Sequence, residues 1–309
     1  MRKQLSIILV LITIMLSGCE HDVNFTGKEP SPRMVVNSII DAKSDTHTIQ
    51  IAESVFIFSD QQSSVVENPE IELKINGVEI AFEDDYDSYS FYKFKASLNA
   101  GDKIEFSAYT PKHGTVSGYD IVPESTVEIK NIEHSWFWKN EMSYLRLFIT
   151  IKDNPDERNY YRIRVLDYSQ IVPRDPNPSW SLREVFIEDE ILFNKPSEPE
   201  EGGSTPNFYR IFTDDLFQGQ EYTLNVYVDL TNVAQSPWHT FVRQYIKVEI
   251  QTLSEKLYRN LRSKELASGT VGNLFAEPVK IYSNMRGGFG ILGTYNSTEM
   301  VKLIGSKGN

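Results

Sequence analysis

The sequence predicts a mainly β fold, arranged as two immunoglobulin-like β-sandwich domains with one amphipathic helix on the second. Three observations carry that expectation. Short runs of alternating apolar and polar residues recur from Met34 onward, with turn signals about every ten residues. An Asn76-Gly77 pair stands between two such runs. Only one late stretch changes to helical spacing, where Leu253, Leu257 and Leu261 fall four apart with Tyr258 beside them.

Composition sets the bounds. The chain has 309 residues, 40% hydrophobic and 12% aromatic, which is ample material for two packed cores. Its formal net charge is −12, and holding a phosphate backbone requires a concentrated basic face, so nucleic acid is not an expected partner. A single cysteine leaves no intrachain disulfide, so stability must come from packing and hydrogen bonding.

That cysteine stands in a telling place. Arg2 and Lys3 precede an apolar run of 12 residues, Leu5 to Leu16, and the small residues Ser17 and Gly18 lead to Cys19. A spanning helix needs roughly 17 to 25 apolar residues, so the run reads as the hydrophobic region of an export signal. Leu16-Ser17-Gly18-Cys19 resembles the lipobox of bacterial lipoproteins, which implies cleavage of residues 1–18 and acylation of Cys19. The plainer alternative is a buried thiol behind an ordinary signal. Cleavage would leave 29 basic and 43 acidic residues, a net charge of −14. Two or more acyl chains anchor a protein stably to a bilayer, where one gives only marginal binding.

Residues 19–32, with Glu20, Asp22, Gly27, Pro30 and Pro32, read as a flexible acidic tether. Acidic residues behind a lipidated cysteine resemble the surface-display signal of Bacteroidota lipoproteins, although His21 interrupts the pair and a solvated linker would look the same. The expected location is therefore the outer membrane, facing the cell exterior.

The first domain is expected over 33–123. Val35-Val36 and their neighbours make an apolar strand, and Thr46 to Ala52 its partner. Ile71, Leu73 and Ile75 alternate with charged residues, and Val78, Ile80 and Phe82 resume the alternation after Asn76-Gly77, whose two central positions suit the positive φ of a type I′ turn. Glu83-Asp84-Asp85-Tyr86-Asp87 is acidic enough for a calcium loop but lacks the spacing and glycine of one, which favours a solvated connection. Strands over Tyr89 to Leu98, Lys103 to Tyr109 and Thr115 to Val122 complete the set.

The second domain is expected over 124–309. Leu145, Leu147, Ile149 and Ile151 share one strand face, and Tyr161, Ile163 and Val165 line the returning strand. The polar segments 170–181 and 194–207 read as long surface loops. Leu98, Gly101, Ile104, Phe106, Ala108 and Tyr109 have the same spacing as Leu216, Gly219, Tyr222, Leu224, Val226 and Tyr227, which suggests a related hairpin unit in each domain or a coincidence of generic strand pattern. Ile246, Val248 and Ile250 point one way before the period changes. Thr252-Leu253-Ser254-Glu255 fits a capping box opening a helix over 253–266, with Arg259, Arg262 and Lys264 toward water.

The stretch from Asn273 to Gly293, including Glu277-Pro278 and Gly287-Gly288-Phe289-Gly290, resembles the C-terminal signature of an uncharacterised lipoprotein family of Bacteroidota, domain of unknown function 4249. Val35-Val36-Asn37, the Gly101 strand, Val122-Pro123 and Leu257-Tyr258 match in the same order; Ser38 and Leu292 depart from the usual residues. The resemblance implies a gene neighbourhood with TonB-dependent outer-membrane receptors, and hence a part in nutrient uptake. It implies no chemistry. The glycines themselves suit tight turns and close backbone approach, with Phe289 and Ile291 sealing the sandwich edge; a phosphate-cradling nest lacks its lysine and hydroxyl ending.

No catalytic motif is found: no Gly-x-Ser-x-Gly elbow, no His-Glu-x-x-His, and five scattered histidines without ligand spacing. Neither cofactor nor metal is expected. Paired carboxylates for glycoside hydrolysis cannot be placed across a cleft from sequence. Trp136, Trp138, Trp180 and Trp238 are the candidate contacts for a ligand or partner, with Trp180 foremost because it lies in a long polar loop. The expected function is a non-enzymatic accessory to a TonB-dependent receptor. A free-standing glycan-binding or adhesion module is the alternative, and a cryptic hydrolase a more distant one.

Overall fold

Alternation becomes strand through most of the computed structural model, which describes residues 31–56, 64–83, 90–124, 127–139, 142–170, 180–183, 185–186, 192, 209–229, 243–270 and 279–306. The first half supplies β1 (Met34–Asp41), β2 (Thr46–Glu53), β3 (Glu70–Ile75), β4 (Val78–Glu79), β5 (Phe91–Lys95), β6 (Lys103–Thr110) and β7 (Gly114–Ile121). The second supplies β8 (Glu128–Lys139), β9 (Met142–Lys152), β10 (Tyr160–Gln170), β11 (Ser181–Arg183), β12 (Val185–Phe186), β13 (Ile211–Thr213), β14 (Glu221–Asp229) and β15 (Arg243–Leu253). Helix α1 (Glu255–Thr270) and the long strand β16 (Phe289–Ser306) close the chain.

These strands form one eight-stranded sheet and two four-stranded sheets. The large sheet runs β11-β10-β15-β16-β1-β2-β5, with β13 also on β10. One small sheet is β4-β3-β6-β7 and the other β12-β14-β9-β8. Two hydrophobic cores result. Met34, Val36, Ile49, Phe94, Leu73, Ile104, Phe106 and Val116 fill the first, between the large sheet and the β3-β6-β7 layer. Leu145, Leu147, Ile149, Tyr161, Ile163, Leu224, Val226, Ile246 and Val248 fill the second, under the β14-β9-β8 layer.

The two halves are joined by more than a linker. β16 pairs in parallel with β1 from Phe289 to Tyr295 and antiparallel with β15 from Tyr295 to Ser306. Its 18 residues span about 60 Å, long enough to serve both cores. Leu292 lies in the first core and Ile304 in the second, both even-numbered and so on one face. Ile291 and Tyr295, on the other face, lie under the helix with Leu253, Leu257 and Leu261. The first core thus takes Met285 and Leu292 from beyond residue 124, so both halves of the chain contribute to it and share one sheet. The outcome is two sandwiches on a common sheet.

Several local expectations hold. Asn76 and Gly77 take φ of 52° and 81° and join β3 to β4. Gly290, at φ 110°, lies so close to β1 that a Cβ there would strike the Val36 carbonyl, which is the close backbone approach the glycine run foretold. Gly101 and Gly219 both have positive φ ahead of a strand flanked on both sides, β6 and β14, so the two hairpin units share that turn geometry.

Others are corrected. The helix begins at Glu255 and reaches Thr270, where 253–266 was expected, and its cap is Ser254, whose hydroxyl accepts the Leu257 N–H at 3.1 Å. Thr252 remains in β15, held by its pairing with Asn296, so ladder bonds win over the capping box. The helix packs on β16, β10 and β13 of the shared sheet, and Arg262 and Lys264 are half-buried rather than fully in water. β4 stops at Glu79, yet Ile80 still donates its N–H to the Leu73 carbonyl at 2.9 Å and Phe82 bridges to Phe94 of β5, both packing on the first core. Phe289 is 43% exposed beneath Arg33 and seals no edge. The acidic run 84–87 and most of the loops 170–181 and 194–207 lie outside the described residues.

Candidate functional site

The seam between the two cores is polar. Asp120, at the end of β7, accepts from the Ser254 hydroxyl at 2.6 Å, the Thr294 N–H at 2.8 Å and the Thr294 hydroxyl at 3.0 Å. Burial pushes its carboxyl above the usual range, partly offset by those donors. β16 straps the connection between the halves in regular steps: Thr294 donates to the Ile121 carbonyl, Asn296 to that of Pro123, and Thr298 to that of Val127. A cleft of about 640 Å³ opens beside this seam, lined among others by Tyr119, Tyr160, Arg158 and Lys256. Its cations are engaged: Arg158 pairs with Asp215 at 2.7 Å, and the Lys256 ammonium sits 3.2 Å from the Tyr119 ring centroid.

The sequence candidates separate. Trp180 is half-buried just before β11, its ring 5.6 Å from Tyr168, which stacks at 6.1 Å on Tyr245, while the Lys247 ammonium lies 5.3 Å from the indole. Leu182, two residues on, is 59% exposed, as are Val301 at 49% and Leu303 at 44%. Trp136 is 39% exposed on β8, the edge of a different sheet, opposite Leu145. Trp138 lies on the same strand, opposite Ser143. Trp238 and Cys19 lie outside the described residues.

A second cleft went unnoticed in the sequence. It measures about 600 Å³ and is lined by Arg162, Ile163, Arg164, Leu182, Arg183, Val185, Tyr209 and Arg210. It forms where the edge of β10 changes partner, from β13 at residues 160–162 to β11 at 165–167. Arg162 and Arg164 share the outer face of β10 by their spacing of two. Arg162 donates to Gln251 at 2.6 Å, Gln251 donates to Glu249 at 2.7 Å, and Arg164 pairs with the same carboxylate at 3.2 Å. Arg183 pairs with Asp167, and Arg210 donates to the Val185 carbonyl at 2.5 Å. The Arg-x-Arg step on β10 was the one visible hint; Arg183 and Arg210 lie 19 and 46 residues beyond Arg164, and only pairing brings them near.

Among the described residues no group of three or more acidic, histidine or cysteine side chains is arranged to hold a metal, and no helix is long and apolar enough to cross a membrane.

Fold and site together define a mainly β protein of two sandwiches on a shared sheet, with a helix on its outer face and an arginine-lined cleft at its edge. The chain belongs to the family described as Domain of unknown function (DUF4249), which matches residues 20–300. No curated protein sequence matches it. Among solved structures, Bacteroides uniformis beta-glucuronidase 3 aligns over 72% of this chain at 10% identity and a TM-score of 0.23, so that the chain spans 23% of the enzyme's length. A protein of Corynebacterium diphtheriae described as membrane-anchored aligns over 83% of this chain and 58% of its own at 9% identity, TM-score 0.18. Scores this low carry no argument about fold or activity.

Proposed function

We propose that the mature chain is an outer-membrane lipoprotein, held by an acylated Cys19 and facing the cell exterior, that acts without chemistry as an accessory to a TonB-dependent nutrient receptor. The carrying observation is Leu16-Ser17-Gly18-Cys19 directly behind a 12-residue apolar run, with the sole cysteine at the one position lipidation requires. The first strand starts at Met34, so 14 residues lie between anchor and fold, a reach of at most about 50 Å when extended. Membership of the family supports the reading through the gene neighbourhood with TonB-dependent receptors that the resemblance implies. Trp180, with Tyr168, Tyr245 and Lys247 around it, supplies the aromatic surface that partner contacts favour.

The test is fractionation of Cys19→Ser. The parent should remain with the membrane, be digested by protease added to intact cells, and co-purify in detergent with a TonB-dependent barrel. A Cys19→Ser product still firmly membrane-bound would overturn the anchor. Full protection from protease would overturn the outward location, and purification without a barrel would overturn the partnership.

A further inference from the structure

We infer that the cleft at the seam between the two sandwiches is a binding site for a neutral saccharide. The inference stands whether or not the chain serves a receptor. It rests first on one hydroxyl. Thr252 lines this cleft, is 2% exposed, and its Oγ1 has no hydrogen-bond partner among the described residues. The polar side chains beside it are bonded: Gln251 donates to Glu249 at 2.7 Å, and Ser254 to Asp120 at 2.6 Å. A buried hydroxyl without a bond is costly, because water has been taken from it and nothing has replaced that water. A ligand hydroxyl reaching the floor of the cleft supplies the missing bond.

The second ground is the mixture of groups around it. Glu124 and Glu157 stand exposed at the cleft, and neither carboxylate makes an ion pair or hydrogen bond among the described residues. Lys256 donates to the Tyr119 carbonyl and Arg158 to Asp215, at 2.8 and 2.7 Å, and each has further N–H groups beyond those bonds. Acceptors and donors thus share one opening. A sugar hydroxyl both donates and accepts, so a ring carrying several can answer the carboxylates and the cations together. An anion would meet Glu124, Glu157 and Glu255 as like charges. An apolar ligand would strip water from the same groups and return no bond.

The third ground is shape. The cleft measures about 640 Å³, within the range of small-ligand sites. Tyr119, 44% exposed, and Tyr160, half-buried with its ring 4.7 Å from Tyr258, give it aromatic surface on which the C–H face of a sugar ring can pack. Its walls come from both halves of the chain, residues 119–124 on one side and 157–160 with 252–256 on the other. The bonds of Ser254 and Thr294 to Asp120 hold those walls together before any ligand arrives.

The test is calorimetric titration of the purified, detergent-solubilised mature protein with maltotriose, cellotriose, xylotriose and chitotriose in turn, with citrate as the charged control. Saturable binding of at least one sugar is expected, with Kd below about 1 mM and insensitive to salt because the ligand is neutral. Thr252→Val removes the hydroxyl and keeps the shape. Its Tm should equal or exceed the parent's, since an unbonded buried hydroxyl is lost, while sugar affinity falls roughly tenfold or more. Glu157→Ala, at an exposed position, should weaken binding to a similar degree. Val78→Ser, 64% exposed on β4 and outside the cleft, should bind as the parent does. The assignment is overturned by no saturable binding of any of the four sugars to about 10 mM, or by citrate binding as tightly as the best of them. A lowered Tm in Thr252→Val, an unaltered Kd in Glu157→Ala, or equal weakening in Val78→Ser would overturn it as well.

Discussion

The Ser254 hydroxyl lies 2.6 Å from the Asp120 carboxylate, to which it donates, while the same oxygen accepts the Leu257 N–H at 3.1 Å. One side chain thus caps the helix and bolts it to the last strand of the first sandwich. Thr294 of β16 meets the same Asp120 oxygen, so three segments 134 and 174 residues apart share one acceptor. Removing that acceptor leaves buried donors with nothing to bond. Asp120→Ala should therefore cost about 3 kcal/mol in urea unfolding, against about 1 kcal/mol for Ser254→Ala, where the capping interaction is the chief loss. Equal costs would mean that Asp120 is incidental to the seam.

The same carboxyl predicts a pH dependence. Burial raises Asp120 above its ordinary 3.8, so the folded chain holds that proton more tightly than the unfolded one. Its contribution to stability accordingly falls as pH climbs through the window that starts near 3.8 and ends at the raised native value. Asp120→Asn carries no charge and should lack this slope, so its disadvantage relative to the parent should shrink between about pH 4 and pH 7. Unfolding midpoints of both proteins across that range check it; a gap that widens with pH would reverse the sign and refute the account.

Backbone contact makes Gly290 sensitive. A Cβ there meets the Val36 carbonyl across the β1–β16 pairing, and the φ of 110° is foreign to other residues. Gly290→Ala should cost about 3 kcal/mol or more, seen as lost soluble yield or a lowered Tm. Gly305, on the same strand, has open space around its Cβ position, and Gly305→Ala should stay within about 0.5 kcal/mol of the parent.

Helix docking depends on Leu257, which is fully buried and lies against Gly293 of β16. Leu257→Ala should destabilise by about 3 kcal/mol in denaturant titration. A change under about 1 kcal/mol would show that the helix is carried by its flanking tyrosines.

Trp180 separates binding from folding. Its ring is half-buried against Tyr168 at the sheet edge and belongs to neither core cluster. Trp180→Ala should leave the unfolding midpoint nearly unchanged and weaken barrel co-purification roughly 30-fold, as loss of an interface anchor does. Undiminished co-purification would remove Trp180 from the contact surface.

Much of this was legible in residue order. The β class, the Asn76-Gly77 turn, the buried alternation of Leu145 to Ile151 and of Ile246 to Ile250, and the helical spacing of Leu253, Leu257 and Leu261 are local patterns, and the chain realises them. So is the family, whose C-terminal signature runs from Asn273 to Gly293 with further matches as far back as Val35-Val36-Asn37. Periodicity states which face of a strand is buried; it does not state which strand lies alongside. Tertiary pairing alone decided that β16 completes both sandwiches, because a parallel neighbour some 250 residues distant leaves no trace in either strand's own pattern. It decided that Ser254 rather than Thr252 caps the helix, since β15 holds Thr252 in its ladder. And it alone gathered Arg162, Arg164, Arg183 and Arg210, which the sequence scatters over 49 residues, into one cleft at a break in the sheet edge.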